Sequence, residues 1–185
     1  MHNRLADAIK PLTILANAYA NAPKVCRMAI RRDRLRALRD ERGCPPRCDL
    51  ALLEALAEHV HEEKVDDTAT GMAAGQGVEV VVEPGLPPGV DGLALKTLAL
   101  LIVRPALDRA LLALRILHEL AHLILDRLGW AHTHGDVWFL ALAIAVPRSM
   151  IRSQCPANAL DLAAYAGTVG WVADMRLRIT KTPAA

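Results

Sequence analysis

Aromatic side chains are scarce in this 185-residue chain: three tryptophans, two tyrosines and one phenylalanine amount to 3%. Hydrophobic residues nevertheless reach 53%, with Leu and Ala prominent, so a sizeable core must be aliphatic, and that bias favours helix. The length suits one domain with a short appendage. Long apolar runs are missing too. Leu98–Val103 and Val137–Val146 both fall well short of the roughly 20 residues that span a bilayer, so no membrane segment is expected. Charge of one sign is also lacking: the net value is +2, too mild to argue for nucleic acid by itself. Met1–Lys10 is polar and without the layout of a signal peptide. The four cysteines (Cys26, Cys44, Cys48 and Cys155) are therefore expected as reduced thiols in the cytoplasm. Cys44 and Cys48 enclose Pro-Pro-Arg, which is not a usual zinc-knuckle spacing, and no second pair accompanies them.

Leu5–Ala20 has apolar residues at helical spacing and reads as a loosely attached amphipathic helix. Lys24–Arg42 is strongly basic, and Gly43 with the prolines after it stops that helix. Asp33, Asp40 and Glu41 are interleaved with its arginines, which describes a solvated, salt-bridged face. It lacks aromatic rings on which bases would stack, so direct nucleic-acid binding is not expected. Residues 1–42 are thus set apart as an N-terminal helical segment, and 43–185 as the principal domain.

Within that domain Asp49 is placed to cap a helix over Leu50–Val60, and His61–Gly77 reads as a loop. VEVVVE (78–83) is a strand by its β-branched run. PGLPPGVDG (84–92) is turn chemistry, and two further strands are expected at Leu93–Lys96 and Leu98–Arg104. Asp108 caps a long helix, Arg109–Leu128. After a loop at Gly129–Gly135 comes a second core helix, Asp136–Ala145, then terminal helices at Asp161–Tyr165 and Trp171–Ile179. The expected class is α+β, with a small, mostly antiparallel three-stranded sheet and additional helices at both ends.

The long helix carries LHELAHLIL (117–125), in which two histidines and a glutamate interrupt an apolar run. Burying such groups costs free energy unless something compensates them. On a helix His118 and His122 share one face a turn apart, so both imidazoles can reach one ion. Glu119, one step round, sits beside that ion without ligating it and can take a proton from its water. That is the mechanical content of H-E-x-x-H: two zinc ligands and a general base. A catalytic zinc wants a third protein ligand and an open position. Leu128 stands where H-E-x-x-H-x-x-G-x-x-H would need histidine, which excludes that pattern. The stretch AHTHGDVW (131–138) offers His134 and Asp136, with His132 read as a loop residue and Asp136 also fit to cap the next helix or to hold a ligand imidazole. Both third-ligand candidates stay open.

The order of segments resembles the ImmA/IrrE family of metallopeptidases across about residues 30–180. A strand (VEVVVE), LPPGVDGLA (86–94), a strand ending in IVRP (102–105), HELAHLIL and a helix ending in LALAIAVP (140–147) carry the likeness. The resemblance implies a zincin-type (gluzincin-like) helix and a third ligand near the start of the second core helix. There the family has glutamate, and the matching position is His134. It further implies cleavage of a helix-turn-helix repressor in a stress or mobile-element circuit. HELAHLIL followed by HGDVW (134–138) is also similar to the SprT/Spartan zinc proteases, which act on DNA-associated proteins; there a histidine followed by glycine is the third ligand, again His134. A third reading is a regulatory binding module with a structural zinc and no catalysis.

Other side chains have narrower readings. Tyr165 is a candidate to stabilise an oxyanion, as tyrosines do in several zinc peptidases, against ordinary packing. Arg104 and Arg176 are candidates to bind a substrate carboxylate, against surface roles. Trp138 and Trp171 are expected as core anchors.

Overall fold

The structure, a computed structural model, describes residues 49–181. The helices expected at Leu5–Ala20 and Lys24–Arg42, the boundary at residue 42, and Cys26, Cys44 and Cys48 lie outside the described residues. Helix α1 spans Leu50–Glu62, and Asp49 caps it by accepting from the Ala51 N–H at 2.8 Å, as its sequence position predicts. Helix α2, Ala69–Gly75, occupies part of the stretch expected as loop. Its two glycines read as breakers, yet Thr68 caps it and Ala69, Met72 and Ala73 turn one face inward. Gly71 is there for closeness: a Cβ on it would stand 2.0 Å from Asp66 Oδ1.

Strands β1 (Glu79–Val82), β2 (Gly92–Leu95) and β3 (Leu100–Val103) follow; β1 and β3 are shorter than expected, and β2 has the expected length one residue earlier. Their order is β1-β3-β2, so the last strand enters between the first two. β2 and β3 pair antiparallel with Gly92 opposite Val103, whereas β1 and β3 pair parallel with Glu79 opposite Leu100. The sheet is therefore mixed rather than mostly antiparallel. The prolines at 84, 87 and 88 prevent a tight hairpin after β1. The tight return forms instead between β2 and β3, through a 3₁₀ turn at Lys96–Leu98 and Ala99 at φ 48°.

Helix α3 (Arg109–Arg127) lies against β2 and β3 on one side and α4 (His134–Ala145) on the other. Asp108 caps α3 through the Ala110 N–H. α4 is apolar almost throughout and is covered in turn by α1. Leu114, Leu120, Leu123, Leu140 and Leu142, each 2% exposed or less, form the aliphatic centre. Burying each such side chain stabilises the fold by roughly 1.5–3 kcal/mol. Helices α5 (Arg148–Gln154, not expected), α6 (Ala159–Ala166) and α7 (Gly170–Lys181) complete the chain. Among the described residues no helix is long and apolar enough to cross a membrane.

Arg176 corrects a sequence expectation. It is neither on the surface nor available to a substrate: it is fully buried, forks onto both oxygens of Glu54 at 2.7 and 2.8 Å, and donates to the Val146 carbonyl. That pair ties α7 to α1 and to the end of α4. Trp138 is buried in the core as expected, and Trp171 packs against it from a partly buried position.

Candidate metal centre

α3 presents His118 and His122 one turn apart on the face that meets the start of α4. Thr133 caps α4, and a capping box with Asp136 fixes the first turn: Asp136 Oδ2 accepts from the Thr133 N–H at 2.6 Å and from its hydroxyl at 2.8 Å. His134 is the first residue of α4, so this box sets where its ring points. The result is convergence. The ligating atoms of His118, His122 and His134 all lie within 4.8 Å of one another. His118 Nε2 and His134 Nε2 are 3.1 Å apart. Two nitrogens bound to one tetrahedral ion at 2.0–2.1 Å would stand about 3.3 Å apart. His118 and His134 are therefore already near the spacing that a shared ion requires, with His122 within 4.8 Å of both.

Burial is graded across the cluster. His118 is completely buried, with Trp138 packed on its ring at 4.4 Å between centroids; His122 is half-buried and His134 is exposed. Burial first, then the neighbouring His122 and His134, hold the His118 pKa well below its ordinary value. It is neutral at physiological pH, the form in which imidazole ligates a metal. His132 bonds through Nδ1 to the Trp130 carbonyl at 2.8 Å and faces Asp126, outside the cluster, as a loop residue should.

Glu119 is 4% exposed, and burial together with Asp91 raises its pKa to about 8. Among the described residues no lysine or arginine pairs with it. A carboxyl buried without a countercharge, one residue from a convergent histidine cluster, fits a site that supplies its own cation. The described residues thus bring His118, His122 and His134 together beside Glu119, and the donor set could hold a metal ion.

The remaining candidates lie elsewhere. Asp136 sits in the capping box just described and outside the histidine group. Tyr165 is 57% exposed on α6, whose main partner is α7. Arg104 is committed to the turn before β2, donating to the carbonyls of Leu86, Pro87 and Val90. Asp91, in that same turn, is held by Arg115 at 3.2 Å. Gly92 escaped the sequence reading: a Cβ on it would lie 2.6 Å from Glu119 Cγ and 2.7 Å from Oε1. Its only sequence signal is a glycine directly after an acidic turn residue.

No protein-family model matches the chain, and no curated protein matches it. Among solved structures, a Mycobacterium tuberculosis transcriptional regulator is similar at a TM-score of 0.55 and 18% identity, over 71% of this chain and 48% of that one. The chain thus spans about half the length of that regulator, and the likeness is one of fold.

Proposed function

We propose that the chain is a zinc-dependent endopeptidase. The observation that carries this reading is the meeting of three imidazoles on two helices next to a buried carboxyl on the same helix turn. His118, His122 and His134 would hold the ion. Zinc in such a site supplies Lewis-acid activation of a water and of a carbonyl oxygen. Glu119 takes the proton from the attacking water and returns it to the leaving amine, as a base and then an acid at one carboxyl oxygen. Its buried place keeps bulk water from competing for that proton. Three described protein ligands, rather than four, favour an open catalytic position over a closed structural one.

The substrate we propose is a helix-turn-helix repressor cleaved in a regulatory circuit. The order of segments around HELAHLIL supports this through its resemblance to ImmA/IrrE peptidases. The full chain loaded with one zinc and offered such a repressor should cleave it, and chelation should stop the cleavage. Glu119→Gln should retain the metal and lose at least about a hundredfold in rate. Equal cleavage by the wild type and Glu119→Gln would overturn the reading.

A further inference from the structure

Gly92 opens the edge strand β2 and is buried, with its backbone outside the left-handed region, so no turn demands glycine there. What demands it is the space where a Cβ would be. That space is filled by Glu119, whose Cγ, Oε1 and Cδ would stand 2.6, 2.7 and 2.8 Å from an added Cβ. Real Cβ contacts below 3.0 Å essentially do not occur, so one of the two groups would have to move. The strand itself has little freedom to yield. Gly92 is registered against Val103, and the turn before it is pinned by Arg104 on three carbonyls. Arg115 fastens Asp91 next door and also donates to the carbonyls of Arg104 and Pro105. The side chain that must move is therefore the glutamate.

We infer that Gly92 is a positioning residue for Glu119: its bare α-carbon is the wall against which the carboxyl rests, and any side chain there swings the base out of place. The functional half of this statement rests on the peptidase reading, while the contact itself does not. Displacement of a catalytic group by about 1 Å can cost on the order of a hundredfold in rate.

The test is a coupling measured in the metal-free full chain, followed by kinetics in the zinc-loaded one. Gly92→Ala should lower the unfolding temperature by about 3–10 °C, as an overpacked site does. In a Glu119→Ala background the same substitution should leave the temperature level or raised, because the collision partner is gone and alanine restricts the unfolded chain. An equal loss in both backgrounds would overturn the inference. If Gly92→Ala does not fold, recovery of folding in Gly92→Ala/Glu119→Ala supports the contact, and failure of both overturns it. With zinc bound, Gly92→Ala should keep metal affinity within about threefold and KM within about twofold while kcat drops at least about tenfold. An unchanged kcat would overturn the positioning role. A coupled thermal loss in a chain whose wild type cleaves nothing would instead sink the peptidase reading and leave the contact standing.

Discussion

His118 Nε2 and His134 Nε2 face each other at 3.1 Å across the junction of α3 and α4. One comes from the middle of a buried helix and the other from the first residue of the next. If they share an ion, His134→Ala should lower zinc affinity at least about a hundredfold, since a ligand is lost outright. His132→Ala should change it by less than about threefold, because that ring is turned to the Trp130 carbonyl. Competition with a chromophoric chelator reads both.

The cap of α4 should matter to the metal as well as to the fold. Thr133→Ala removes the side-chain half of the capping box and should cost about 1 kcal/mol of stability. Because His134 begins that helix, zinc affinity should also weaken, by about tenfold. Asp108→Ala removes the corresponding cap of α3 at a similar cost in stability. It should leave affinity unchanged, since His118 and His122 lie well inside that helix.

The buried pair Glu54–Arg176 makes a prediction about folding alone. Arg176→Met leaves the buried Glu54 carboxylate with only the partly exposed Arg148, 3.6 Å away, and should cost about 3–5 kcal/mol in urea unfolding, as should Glu54→Gln. Glu54→Leu with Arg176→Met should cost much less than the two single losses added, because no buried charge is left and Arg148 can turn to solvent.

The raised pKa of Glu119 fixes the sign of one pH dependence. Below about 4.5 the carboxyl is protonated in both folded and unfolded chains. As pH rises, the unfolded chain releases the proton and the folded one keeps it until about 8. The stability contributed by this group is therefore present at the acid end and lost through that window. Metal-free wild type should lose unfolding temperature relative to Glu119→Gln as pH rises from about 4.5 to about 8, and the gap should then level off. A gap that widened towards acid would contradict the burial of this carboxyl.

How much of this was legible beforehand follows from how local each feature is. Asp49 and Asp108 act on N–H groups two residues away, and both caps were readable from sequence. H-E-x-x-H is one helical turn long, and His134 stood in a short list of nearby ligands. Glu54 and Arg176 are 122 residues apart, so nothing in either neighbourhood announced their pairing. Strand order was hidden for the same reason: the β-branched run of β1 suits parallel and antiparallel pairing alike, and only the entry of β3 between the edges decides. Gly71 and Gly92 misled because a glycine in sequence signals a breaker, whereas here each makes room for a carboxylate, Asp66 from the preceding turn and Glu119 from a distant helix.

The most direct measurement is X-ray absorption at the zinc edge on the full chain reconstituted with one equivalent of metal. Three imidazole nitrogens at about 2.0 Å and one further oxygen are expected. A shell containing sulfur, a shell of four protein nitrogens, or failure to retain stoichiometric zinc would contradict this site.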